Sequence, residues 1–272
     1  MPPRETKKAL IVVRTYPLPA TPGVEVSCTA AITDDGKWLR LYPVPYRFLD
    51  NDKKFRKYQW IEVDVTKSSS DARVESYNPD VDSIKILSEP LDTANQWRSR
   101  KNVVLPLKSH CLCCLKAQRD ENGYPTLGLV RPKSIGRLMI TPADAEWSSA
   151  QRDMLRQGHL FREGPKVELE KIPFNFSYRF HCDHDGCKGH TGVCTDWEMG
   201  ESWRKWSREY GDDQWEEKFR QRYATEMIER NDTHFYMGTI HQHPHIWIIV
   251  GLFYPPKDKP MPLLDSTIPD EG

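Results

Sequence analysis

The segment from His181 to Cys194 holds three cysteines and three histidines within fourteen residues, and it constrains the fold more than any other stretch of the chain. Four residues separate Cys182 from Cys187, two separate Cys187 from His190, and three separate His190 from Cys194. Glycines between the potential ligands allow the tight turns of a metal knuckle, in which backbone amides face bound thiolates. Upstream, Cys111-Leu112-Cys113-Cys114 offers Cys111 and Cys114 at C-x-x-C spacing. Two ligand pairs drawn from distant segments are the usual way to assemble a compact tetrahedral site.

The chain has seven cysteines, an odd number, and no recognisable export signal, so a disulfide framework is not expected. Free cysteine packs as a small hydrophobe, which suits Cys28 in an apparent strand and one of Cys111, Cys113 or Cys114. It does not suit Cys182, Cys187 and Cys194, which lie among Asp, Lys, Gly and His. The expected ligands are therefore Cys114, Cys182 and Cys187, with His190 or Cys194 completing the shell. With His190 the set is a Cys₃His zinc site; with Cys194, or Cys28 in its place, it supplies the four thiolates of a [4Fe–4S] cluster. Zinc is favoured because His190 stands in the third position of a C-x₂-H knuckle. Each set is closed by protein side chains, and a closed site stabilises a fold without activating water.

A chain of 272 residues, 38% of them hydrophobic and including nine Trp, eleven Tyr and nine Phe, can bury a large core. No apolar run approaches the roughly 18 residues that span a bilayer. The run Ala9–Val13 is too short for a signal peptide and reads as a strand, so a cytoplasmic protein is expected. Further strands are expected at Val24–Ile32, Trp38–Tyr42 and Trp60–Lys67, with a turn at Asp34-Asp35-Gly36 and a strand end at Pro43 and Pro45. Short strands with frequent turns fit a small barrel or bent sheet over residues 1–100.

Residues 101–255 read as a mixed, metal-stapled α/β part. Pro132-Lys133-Ser134 suggests a turn or short helix, and Ala145–Gln157 a helix ending at Gly158. The alternation Phe174, Phe176, Tyr178, Phe180 marks a strand that leads into Cys182. Glu198–Arg230 reads as two helices broken at Gly211-Asp212-Asp213, with Trp215, Phe219, Tyr223 and Met227 forming one apolar stripe. Phe235–Ile240 and Ile246–Tyr254 read as a hairpin, and 256–272 as a loose acidic tail. The fold class is α+β.

Charges cancel overall, with 39 basic and 39 acidic residues, but the first two thirds are net basic and the last third acidic. Between Lys37 and Trp60, Lys53, Lys54, Arg56 and Lys57 lie among Trp38, Tyr42, Tyr46, Phe48, Phe55 and Tyr58. Cations for phosphates beside rings for stacking are what single-stranded DNA or RNA requires, so Trp38 and Tyr46 are expected to stack bases while the four cations hold phosphate.

His241, His243 and His245 alternate at the hairpin tip and are candidates for an open metal site or acid–base pair in a hydrolase or nuclease, although Pro244 breaks the strand. An iron–sulfur regulator is the third reading. The chain lacks G-x-x-x-x-G-K-[ST], G-x-G-x-x-G, G-x-S-x-G and H-E-x-x-H, so no nucleotide cofactor is expected and the commonest hydrolases are unsupported. Asp196, Glu198 and Glu201 are expected near a helix start, where acidic charge meets the positive dipole end.

Overall fold

An unbroken apolar run, Ala9–Val13, and an alternating one, Ile61–Val65 with Glu62 and Asp64 between its apolar residues, set the architecture of the first hundred residues. In the computed structural model, which describes residues 3–257 apart from 21–23, 162–164, 166 and 212–213, these runs become neighbouring strands. Strand β1 (Arg4–Arg14) pairs antiparallel with β3 (Val24–Thr33) on one side and with β5 (Trp60–Lys67) on the other. Strand β4 (Trp38–Val44) pairs with β3 and runs parallel to β6 (Ser76–Pro79), which returns antiparallel to β5. Five strands thus close in the order β1-β3-β4-β6-β5. Short strands β2 (Leu18–Ala20) and β7 (Lys85–Ile86) attach to β3 and β5.

Ala9, Ile11, Ile61, Val63 and Val65 point into the barrel, where they meet Ala31, Leu39 and Leu41. Leu10, Val12 and Val13 face outward, yet none is more than 1% exposed. A register shift between Ile11 and Val13 explains how consecutive residues share that outer face. They pack with Ala30 and Ile32 against Leu127, Leu129, Tyr236, Val250 and Phe253 of the second half of the chain. An apolar run without alternation is the signature of a strand covered on both faces.

The second sheet contains β8 (Lys108–Ser109), β9 (Leu127–Val130), β10 (Ser134–Pro142), β11 (Phe174–His181), β12 (His190–Cys194), β13 (His234–Thr239) and β14 (Trp247–Phe253). Their order is β10-β11-β12-β14-β13-β9-β8. Among the described residues, five α-helices accompany the strands: α1 (Ala94–Val104), α2 (Leu112–Asn122), α3 (Ser149–Phe161), α4 (Trp197–Tyr210) and α5 (Trp215–Arg220). The last widens into a π-helix over Gln221–Arg230. Trp215, Phe219, Tyr223 and Met227 are all buried, and with Trp203 they pack on Phe176, Tyr178 and Phe235 of the sheet. Four residues of α-helix overshoot one turn by about 40°, so a strict four-residue stripe spirals off its face. The wider π segment turns less per residue and holds the stripe in line.

The molecule is an α+β protein with an N-terminal barrel. Three local expectations are corrected. Strand β4 continues through Pro43 to Val44, because Tyr42 and Pro43 fall in a register irregularity opposite Cys28 where no ladder N–H is needed. Helix α3 runs through Gly158 to Phe161 instead of ending there, and of the turn or short helix expected at Pro132-Lys133-Ser134 the chain forms a bend at Lys133, after which Ser134 opens strand β10. Of the expected tail, Pro256 bridges to Asn231, and residues 258–272 lie outside the described residues, as do Asp212 and Asp213. Among the described residues, no helix is long and apolar enough to cross a membrane.

Candidate metal centre and the cavity beside the barrel

Strand β11 delivers the chain to Cys182, a tight loop carries Cys187, and β12 opens on His190. Helix α2 brings Cys113 to the same place. The ligand atoms of Cys113, Cys182, Cys187 and His190 all lie within 4.8 Å of one another. Cys113 Sγ is 3.3 Å and Cys187 Sγ 3.4 Å from His190 Nε2. A tetrahedral ion with bonds of about 2.3 Å to sulfur and about 2.0 Å to nitrogen separates two such ligands by roughly 3.6 Å, so the spacing fits a single metal ion.

Backbone amides support the sulfurs. The Leu112 N–H, which has no partner within its helix at the first turn, donates to Cys182 Sγ at 3.2 Å. The Cys182 N–H donates to Cys187 Sγ at 3.3 Å, and the Cys187 N–H closes the loop on the His184 carbonyl at 3.0 Å. Gly189 takes φ +88°, and a Cβ there would come within 2.9 Å of His181 Nε2, so the turn into β12 requires glycine.

Burial and the neighbouring thiols push the Cys113 thiol up to about 12. Burial also raises Cys182, whereas at Cys187 the amides of Cys182 and Gly189 overcome burial and hold the thiol below its ordinary value. Burial pushes the His190 pKa below its ordinary value, which favours the neutral form that binds metal. Thiolates packed this closely repel one another unless a cation lies between them.

The structure therefore brings together Cys182, Cys187 and His190 of the expected ligands, but replaces Cys114 with Cys113 and leaves out Cys194. Cys111 is the N-cap of α2, and its Sγ accepts the Cys114 N–H at 3.0 Å. That cap fixes the helix start so that Cys113 is the member of the pair facing His190. Cys194 lies at the far end of β12, four residues and about 13 Å along the strand from His190. It packs buried against the core beside Ile249 and Phe176. Cys28 belongs to β3 of the barrel. Among the described residues, this is the one group of His, Cys, Asp and Glu whose ligand atoms converge.

His241, His243 and His245 are exposed on the loop between β13 and β14. His243 and His245 have ring centroids 6.1 Å apart, and His241 Nδ1 lies 3.4 Å from Asp71 Oδ1.

The expected basic and aromatic surface comes apart in the fold. Lys57 is only 9% exposed; its Nζ donates to Asp196 Oδ2 at 3.3 Å, Glu198 Oε2 at 3.4 Å and the Leu252 carbonyl at 3.1 Å. It ties the barrel to α4 and has no access to phosphate. Tyr46 packs edge-on against Phe55 and Trp197, with the Arg14 guanidinium 4.1 Å from its ring centre. Trp38 meets Tyr236 edge-on at 6.1 Å. Lys53 and Lys54 reach Asp50 and Asn51, and Arg56 is exposed. Trp38 and Tyr46 are packing groups here, which composition alone does not distinguish from stacking platforms.

Between the barrel and the second sheet lies a cavity of about 490 Å³ that sequence reading did not reveal. The outer face of β3 and β4 supplies Cys28, Arg40 and Tyr42, and β11, β12 and β14 supply the opposite wall. At one end Arg73 clamps Asp71 through Nε and Nη2 and donates to the Thr239 carbonyl. Against the cost of its burial, the Arg73 hydrogen bonds hold the Asp71 carboxyl well below the usual range. Arg40, 1% exposed, donates to Ser76 Oγ, Thr126 Oγ1 and the Thr126 carbonyl.

A closed five-stranded barrel joined to a seven-stranded mixed sheet that carries a Cys₃His cluster at the β11–β12 loop defines the class of protein. Residues 108–268 match the family described as Domain of unknown function (DUF8757), and the chain belongs to that family. Residues 5–106 match a second family, Domain of unknown function (DUF8758). No curated protein matches the chain.

Proposed function

We propose that this protein binds single-stranded nucleic acid through its barrel and is stapled by one zinc ion at Cys113, Cys182, Cys187 and His190. The observation that carries the metal reading is the convergence of three sulfurs and one imidazole nitrogen within 4.8 Å. That spread suits one ion, while a four-iron cluster needs its sulfurs further apart and a fourth thiolate, and Cys194 is a strand's length away. Zinc at this point would join the start of α2 to the β11–β12 loop. Its chemistry is structural, because all four positions are filled by side chains.

The nucleic-acid reading rests on fold-level analogy. Five-stranded Greek-key barrels of the OB type bind oligonucleotides on the face of their second and third strands and on the loops joining strands one to two and four to five. Counted along this chain, those elements are β3, β4, the β1–β3 connection and the β5–β6 connection. This reading moves the contact surface away from Lys53, Lys54, Arg56 and Lys57.

Elemental analysis and fluorescence anisotropy test the two parts. About one zinc per chain, and saturable binding of labelled oligonucleotides that weakens with salt, support the proposal. Iron with visible colour, or no affinity for DNA or RNA, overturns the corresponding half.

A further inference from the structure

Three of the large apolar residues exposed on this protein, Leu18 at 58%, Tyr42 at 43% and Val193 at 39%, line the same cavity. Apolar side chains left open together mark a binding surface more often than chance exposure does. The three come from the β1–β3 connection, from β4 and from β12, so they belong to opposite walls. A cavity of 490 Å³ falls within the range of about 300–1,000 Å³ typical of small-ligand sites.

Its charge is also informative. The lining carries Arg40, Arg73 and Lys171 against Asp71 and Asp196. Asp71 is engaged by Arg73, and Asp196 is matched by Lys57 from outside the lining. Arg40 bonds only to neutral oxygens of Ser76 and Thr126 among its hydrogen-bond partners, so its buried charge meets no carboxylate within bonding distance. Lys171 reaches Asp144 at 3.9 Å outside the lining, and the Thr126 hydroxyl that accepts from Arg40 itself donates to Glu75, so the site combines open apolar walls with one buried guanidinium that no carboxylate bonds directly. The Thr239 Oγ1, on the same wall, is buried without a hydrogen-bond partner.

We propose that this cavity receives one nucleobase with its attached phosphate, the ring lying against Tyr42, Leu18 and Val193 and the anion drawn by the arginine end of the site. The proposal rests on the nucleic-acid reading above and narrows it to a single nucleoside phosphate held between the two halves of the chain. Either a free nucleotide or the end of a strand supplies that chemistry. A ring that stacks on one aromatic wall loses about five- to a hundredfold in affinity when the wall is truncated to alanine.

Calorimetry on the full-length, metal-loaded protein tests this with the four nucleoside monophosphates and with short single-stranded oligonucleotides. Two variants serve, Tyr42→Ala to remove the wall and Val193→Trp to fill the space. Both positions are open to solvent, so neither change creates a buried void, and zinc content with thermal unfolding verifies the fold. The expected result is binding by the wild type and a loss of about five- to a hundredfold in Tyr42→Ala, with binding abolished in Val193→Trp. Mononucleotides that bind while oligonucleotides do not sustain the pocket and overturn the strand-binding reading. Oligonucleotide binding that survives both variants unchanged overturns the pocket and leaves strand binding standing. Failure of every probe overturns both.

Discussion

Replacing Lys57 with methionine removes the one cation that the barrel places against Asp196. Lys57 is 9% and Asp196 3% exposed, and Nζ satisfies Asp196, Glu198 and the Leu252 carbonyl together. Methionine fills nearly the same volume, so the change isolates the charge. Asp196 retains the N–H groups of Glu198 at 2.8 Å and Leu252 at 2.9 Å, but its charge is then buried without a counterion. Breaking a buried pair in this way costs about 3–5 kcal/mol. For a chain of this size that corresponds to a fall in Tm of roughly 6–15 °C.

The pH dependence sharpens the test. Burial already raises Asp196 above its ordinary pKa, and Lys57 pulls Glu198 below its own. A carboxyl whose folded pKa is raised stabilises the fold at low pH and loses that stabilisation as pH rises through the folded value. Losing Lys57 raises Asp196 further and removes the depression at Glu198. Both effects make the variant's deficit largest at neutral pH and smallest near pH 4, where carboxyls begin to protonate. Urea titrations at pH 7.5 and pH 4.5 measure it. A deficit below about 1 kcal/mol at pH 7.5, or one that does not shrink in acid, would refute the reasoning. Lys57→Met combined with Asp196→Asn should lose less than Lys57→Met alone.

Single serine substitutions read the ligand register: Cys113→Ser and Cys187→Ser should lose zinc by elemental analysis, while Cys114→Ser and Cys194→Ser should keep it. Retention by Cys113→Ser would place the site elsewhere. Gly189→Ala should cost at least about 1 kcal/mol and weaken metal retention against a chelator, because φ +88° is strained for alanine and His181 stands in the way. An unchanged Tm with unchanged retention would show that the loop accommodates a side chain. Tyr223→Phe removes a hydroxyl shared with Ser202 at 2.7 Å and the Glu198 carbonyl at 3.0 Å, and should cost about 1–2 kcal/mol in denaturant titrations.

Much of the fold was legible where the determinant is local. The alternation in Phe174–Phe180 and the stripe from Trp215 to Met227 appear in the structure as a strand and a helical face. The cluster at Cys182, Cys187 and His190 was readable because loop cysteines among charged residues have no packing role. What failed depends on distant partners. Cys113 and Cys114 differ by one step of a helix whose start is set by Cys111, and no spacing rule contains that cap. Cys194 follows Asp, Lys, Gly and His in the chain, yet it ends β12 with its side chain buried in the core. Lys57 looked like a surface cation until Asp196, 139 residues later, arrived beside it. The cavity is made by two halves of the chain meeting, and neither half carries a motif for it.

The outer face of β1 has a last consequence. Leu10, Val12 and Val13 are dry only because Leu129, Tyr236 and Phe253 cover them, and Lys57 is neutralised only by residues beyond position 195. Cutting the chain near residue 107, where the two family matches meet, would leave the barrel with an oily flank and a stranded ammonium. Each half serves as the other's missing interior, so either half produced alone is expected to aggregate where the intact chain stays dispersed.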